Sequence, residues 1–66
     1  MTEIDKNSLE KIRIQRTKYK GKDLLDIRVF YEAENGEWKP TKKGITVKVE
    51  ITEKLLDGIT KEMQDT

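Results

Sequence analysis

The chain has 66 residues, enough for one small domain, with 33% hydrophobic and 41% charged. It contains neither cysteine nor histidine, which excludes disulfides and Cys/His zinc sites. Its apolar runs are two or three residues long, which excludes a membrane-spanning helix and a signal-peptide core.

Residues 1–10 are polar apart from Ile4 and Leu9, and form a lead-in segment whose pattern fits either a short strand or a loose end. The sequence Met1-Thr2-Glu3 carries no targeting pattern and reads as a native start. Residues 11–66 form the domain proper. From Lys11 to Tyr19, Ile12 and Ile14 alternate with Arg13 and Gln15, the pattern of a half-buried strand. Lys20-Gly21 then predicts a tight turn, because glycine accepts positive φ. Leu24 to Tyr31 is rich in strand formers. It places Leu25, Ile27, Val29 and Tyr31 on one face, and Leu24, Asp26, Arg28 and Phe30 on the other.

Asn35-Gly36 predicts a type I′ hairpin turn, in which both central residues have positive φ. A third strand is expected from Glu37 to about Thr41, at a sheet edge or ending at Pro40, which has no N–H to donate. Gly44 allows a kink, and Ile45, Val47, Val49 and Ile51 alternate as a fourth strand. Thr52 is placed to cap a helix, with Glu53 in its first turn. Leu55, Leu56, Ile59 and Met63 then fall on one helical stripe. The expected fold class is α+β: a curved four-stranded antiparallel sheet followed by one C-terminal α-helix.

A chain this short buries only about 60% of the surface its unfolded form exposes. Its apolar content is below the 45–50% or so of an average globular chain, counted more broadly to include glycine. The shortfall is met either by a marginal monomer or by a second subunit. We expect a homodimer, with Leu55, Leu56, Ile59 and Met63 at the interface.

The formal net charge of +1 conceals a block pattern. Glu10 to Lys22 holds six bases (Lys11, Arg13, Arg16, Lys18, Lys20, Lys22) against one acid, and 39–49 holds four lysines and no acid. Glu32, Glu34 and Glu37 form an acidic cluster, and 50–66 has a local charge of −3. Local potential, not the total, decides whether a polyanion is attracted. The basic residues interleave with Tyr19, Phe30, Tyr31 and Trp38. Basic grooves with aromatic platforms hold single strands, whose bases present free π-faces. No nucleophile–base pair and no glycine-rich phosphate loop is visible, and Asp23/Asp26 or Glu32/Glu34 read as turn and edge charges. The expectation is a non-enzymatic protein with no metal and no cofactor.

Two segments carry a resemblance: Tyr19-Lys20-Gly21-Lys22 with Leu25-Asp26-Ile27-Arg28, and Asn35-Gly36-Glu37-Trp38-Lys39-Pro40-Thr41-Lys42-Lys43-Gly44-Ile45. Together they resemble the transcriptional coactivator positive cofactor 4 family, over roughly Lys11 to Met63. The resemblance implies a homodimer whose basic channels hold single-stranded DNA or melted duplex with little sequence preference, in transcription, replication, recombination or repair. Carried over by position, Tyr19 and Tyr31 match the stacking positions, and Lys20, Lys22, Arg28, Lys39, Lys42 and Lys43 the phosphate-contacting ones. Arg13 and Trp38 are added on charge and location. Strict alternation puts Arg28 and Tyr31 on opposite faces, so a bulge or strong twist near Phe30 is required to bring both to one strand of DNA.

The serine- and lysine-rich lead region of eukaryotic members is not seen, which points to a bacterial or phage member. A cytoplasmic, nucleoid-associated location is expected, or the host cytoplasm for a phage protein. Two other readings stay open: a module that docks a polymerase or recombination protein through the striped helix, and an RNA-binding protein.

Overall fold

The alternating segments become four antiparallel strands in a computed structural model that describes residues 1–64. Strand β1 spans Thr2–Asp5, β2 Glu10–Tyr19, β3 Lys22–Glu32 and β4 Trp38–Lys48, in the order β1-β2-β3-β4 within one open sheet. A 3-10 turn, Val49–Ile51, leads into helix α1, Thr52–Gln64. The α+β fold class, four antiparallel strands and C-terminal helix are those expected, but the strands divide differently. The lead-in segment supplies β1, and the expected third and fourth strands are one continuous β4. That strand runs through Pro40 because it lies at the sheet edge, where only one side has a neighbour.

The two hairpins differ. Tyr19 pairs with Lys22, so Lys20 and Gly21 alone form the first loop, with φ of 51° and 79°. Both are left-handed, as a type I′ turn demands. The Asn35-Gly36 loop is not of that type: only Gly36, at φ 82°, is left-handed. The Asn35 side-chain oxygen accepts the Glu37 N–H at 3.1 Å, an arrangement that turns the chain without a left-handed asparagine. The loop is closed by the Gly36 N–H donating to the Ala33 carbonyl at 2.9 Å and the Ala33 N–H to the Glu37 carbonyl at 2.7 Å. Thr52 does not cap the helix. It is itself helical (φ −54°, ψ −44°), and its N–H donates to the Val49 carbonyl, because the 3-10 turn runs straight into α1. Ile51, expected in a strand, lies in that turn.

Register sorts the side chains into two faces. Ile4, Ile12, Ile14, Leu25, Ile27, Val29, Ile45 and Val47 share one. Glu3, Lys11, Arg13, Tyr19, Lys22, Asp26, Arg28, Phe30 and Trp38 share the other. Phe30 is the only buried hydrophobic side chain among the described residues, at 8% exposure, with the Arg13 guanidinium 4.0 Å above its ring. Among the described residues no second layer covers the apolar face, because α1 packs chiefly on the 3-10 turn before it. The radius of gyration is 13.7 Å, against about 11 Å for a compact domain of this length.

Strand β1 carries a charge anchor in addition to its ladder with β2 and the Ile4–Ile12 pair. Glu3 accepts from Arg13 Nε at 3.0 Å and Nη2 at 2.8 Å, and Lys11 Nζ stands 3.6 Å away. The Arg13 hydrogen bonds, then the fields of Lys11 and Arg13, hold the Glu3 carboxyl below the usual carboxylate range. A carboxyl lowered by folding stabilises the native state above its unfolded pKa, and that contribution is lost as pH falls through the folded value. Amide exchange followed by NMR from pH 7 downward is therefore expected to show β1 losing protection before β2 and β3, below the ordinary carboxylate range. Simultaneous loss across all strands would contradict this anchoring.

Candidate nucleic-acid interface

The β2–β3 pairing is unbroken from Glu10↔Tyr31 to Tyr19↔Lys22. Strand β3 therefore alternates along its whole length, and Arg28 and Tyr31 lie on opposite faces. The irregularity near Phe30 exists, but it belongs to β4. Arg28 pairs with Gly44 and Phe30 with Pro40, so Val29 alone faces Thr41, Lys42 and Lys43. Extra residues in one strand form a bulge and leave the partner's alternation intact. Gly44 closes the bulge, and a Cβ there would stand 2.5 Å from the Ile27 carbonyl oxygen, so the close approach of β3 admits only glycine.

Thr41 fills the gap that the bulge leaves in the ladder. Its hydroxyl donates to the Val29 carbonyl at 2.7 Å and accepts the Lys43 N–H at 3.1 Å. Its carbonyl accepts from Arg28 Nη1 at 2.9 Å. Arg28 is held in turn by Asp26, with Nη2 3.1 Å from one carboxylate oxygen, and Thr46 donates to the same oxygen at 2.8 Å.

The positions matched by resemblance thus separate. Tyr19, Lys22, Arg28, Arg13 and Trp38 share the polar face, and Lys20 stands at the first hairpin tip. Tyr31 and Lys39 pair with each other on the opposite face, at the far end of β3. Lys42 and Lys43 are exposed on the bulge. Tyr19 and Tyr31 are open to solvent at 63% and 41% exposure, whereas the Trp38 ring is half-buried with Lys11 Nζ 4.5 Å from its centroid. On α1, Leu56, Ile59 and Met63 are exposed and Leu55 is half-buried.

Ion pairing divides the cations more sharply than position does. Arg13 is tied to Glu3, Arg28 to Asp26, and Arg16 and Lys18 stand 3.7 and 3.9 Å from Asp23. Among the described residues, Lys20, Lys22, Lys39, Lys42 and Lys43 make no ion pair with any acid, and neither do Lys48 and Lys54. The chain contains 13 acidic residues, so a shortage of acids does not account for those five. Charges left exposed and unpaired in this way are available to phosphate. Sequence reasoning missed Thr41, whose role depends on the bulge, and missed Glu3 and Asp26 as holders of the arginines. The second was accessible, because Asp26 and Arg28 are two apart in a strand and so share a face.

Comparison with known proteins agrees with this geometry. Residues 6–58 match the family described as Transcriptional Coactivator p15 (PC4). A PC4 homologue from Burkholderia pseudomallei superposes with a TM-score of 0.92 at 23% identity, over 100% of this chain and 89% of that one. A bacteriophage T5 homologue of the eukaryotic coactivator PC4, implicated in recombination-dependent DNA replication, superposes at 0.78 with 25% identity, over 97% of this chain and 77% of that one. No curated protein matches the chain significantly. With a family match across most of its length and the same strand order and helix, the chain belongs to the PC4 transcriptional coactivator family.

Proposed function

We propose that this protein binds single-stranded DNA, or melted duplex, with little sequence preference, as a homodimer and without catalysis. The observation that carries the proposal is that Lys20, Lys22, Lys39, Lys42 and Lys43, which like Lys48 and Lys54 make no ion pair among the described residues, stand exposed on the bulge or near two solvent-open tyrosines. Lys20 and Lys22 flank the first hairpin beside Tyr19; Lys39 pairs with Tyr31; Lys42 and Lys43 project from the bulge. Phosphates attract the lysines, and the tyrosines accept unstacked bases, a contact that contributes about 1–3 kcal/mol per base. Paired duplex offers no base faces to those rings. In this reading Arg13 and Arg28 shape the surface, since each is already held by a carboxylate. The T5 homologue's link to recombination-dependent replication supports the same class of process here, with a polymerase or recombination protein as a further partner.

Dimerisation follows from what the monomer leaves open. A sheet with one apolar face must bury it against another layer. This chain has eight aliphatic side chains on such a face and its own helix elsewhere. The accessible surface is 5581 Å², about 1,200 Å² above the area expected for a folded monomer of this mass. A second copy supplies the missing layer, with the Leu55, Leu56, Ile59 and Met63 stripe entering the interface.

Fluorescence anisotropy with labelled oligo-dT is expected to show much tighter binding than equal-length duplex, and an RNA competitor ranks the third substrate. The logarithm of affinity should fall linearly with the logarithm of salt, about 0.7 for each phosphate neutralised on a single strand. Equal affinity for duplex, or a flat salt response, removes the proposal. Lys43→Gln should reduce that slope by about 0.7 without changing the melting temperature. Arg13→Gln should instead free β1, seen as faster amide exchange there, with a smaller effect on the slope. Light scattering should give twice the chain mass at micromolar concentration, and Ile59→Asp should halve it; a wild-type monomer at that concentration contradicts the dimer.

A further inference from the structure

We infer that Thr41 is a positioning residue for phosphate binding. Its hydroxyl fixes the β4 bulge so that Lys42 and Lys43 meet the DNA backbone in a preset geometry. The inference rests on the single-stranded-DNA reading above and deepens it.

Three extra-ladder bonds converge on this one residue. A bulge of this size leaves backbone groups of both strands without their normal partners. Here the Val29 carbonyl is served by the Thr41 hydroxyl at 2.7 Å, the Lys43 N–H by the Thr41 hydroxyl oxygen at 3.1 Å, and the Thr41 carbonyl by Arg28 Nη1 at 2.9 Å. The hydroxyl has one proton to donate and lone pairs to accept with, and both capacities are used. The bulge is further bounded by Pro40, whose φ is fixed by its ring, and by Gly44, pressed against the β3 backbone. Between these fixed ends, Lys42 and Lys43 are adjacent, exposed, and without an ion pair among the described residues.

A backbone held in its bound conformation loses less freedom when ligand arrives. Without the hydroxyl, the three-residue excursion keeps its length but loses its internal bonds, and the two lysines must be ordered by the DNA. Arg28 serves the same arrangement from β3: it grips the Thr41 carbonyl while Asp26 neutralises it. An arginine used this way orients the lysines.

The test compares Thr41→Val, which keeps shape and removes the hydroxyl, with Thr41→Ser, which keeps the hydroxyl. Oligo-dT affinity should fall about five- to tenfold in Thr41→Val, the range of a neutral hydrogen bond, and return in Thr41→Ser. A double-mutant cycle separates positioning from general weakening. Lys42→Gln and Lys43→Gln should each cost less in the Thr41→Val background than in the wild type, and the salt slope of Thr41→Val should already be reduced. Where Thr41→Val fails to fold, Thr41→Ala is measured in the same cycle, with 15N relaxation of Lys42 and Lys43 in Thr41→Ser and wild type as the second readout. Unchanged affinity in the hydroxyl-free variant, additive lysine effects, or Lys42 and Lys43 amides as mobile in the wild type as in a loop would overturn the inference. If the wild type itself does not prefer oligo-dT over duplex, the parent reading fails instead.

Discussion

The arrangement depends on the uninterrupted alternation of β3. This strand pairs with β2 across ten consecutive positions and gives each of its side chains one face or the other. It is flanked on both sides, so it cannot absorb an extra residue without displacing the apolar set that includes Leu25, Ile27 and Val29. The irregularity is therefore pushed to β4, which has a free side. An edge strand can bulge outward without disturbing a second neighbour. The two lysines of the bulge are exposed for that reason, and Tyr31 remains on the face opposite Arg28 for the same reason.

Charge on the polar face is arranged in two layers. Carboxylates on the sheet, Glu3 and Asp26, hold arginines that touch other groups of the protein: Arg13 lies on Phe30, and Arg28 bonds the Thr41 carbonyl. The planar guanidinium suits this, since it can stack and donate in several directions at once. The lysines carry compact charges on flexible stems; Lys20 stands at the first hairpin tip, and Lys42 and Lys43 stand on the bulge. Pairing Arg13 and Arg28 with carboxylates, while lysines such as Lys42 and Lys43 stay exposed, reconciles a net charge of +1 with locally exposed positive charge.

Much of this was legible in the sequence. Period-two alternation located β2 and β3, glycine after Lys20 located the first hairpin, and the helical stripe located α1. What the sequence left open or misplaced has physical causes. The polar segment Thr2–Asp5 forms a strand because Glu3 pairs with Arg13 and Ile4 lies opposite Ile12, neither of which is a local signal. Pro40 fits the edge position it suggests, yet the third and fourth strands expected on either side of Gly44 are a single element. Asn35-Gly36 was read as a type I′ turn, but the asparagine side chain supplied an acceptor and the backbone stayed out of the left-handed region. The positions of the site residues were matched by family pattern; how they divide between faces, and which are neutralised, required the register and the ion pairs.

The first hairpin tip carries one further consequence. Lys20 sits at φ 51°, a region where asparagine or glycine is at ease and a long side chain is strained, by about 1–2 kcal/mol on the scale of left-handed residues. Sequence optimised for folding alone would replace it. The lysine at this strained corner reaches over Tyr19, its Nζ 5.3 Å from the ring centroid, so the hairpin tip carries a charge together with backbone strain. Stabilising designs that place asparagine or glycine at this turn would relieve the strain and remove that charge in the same step.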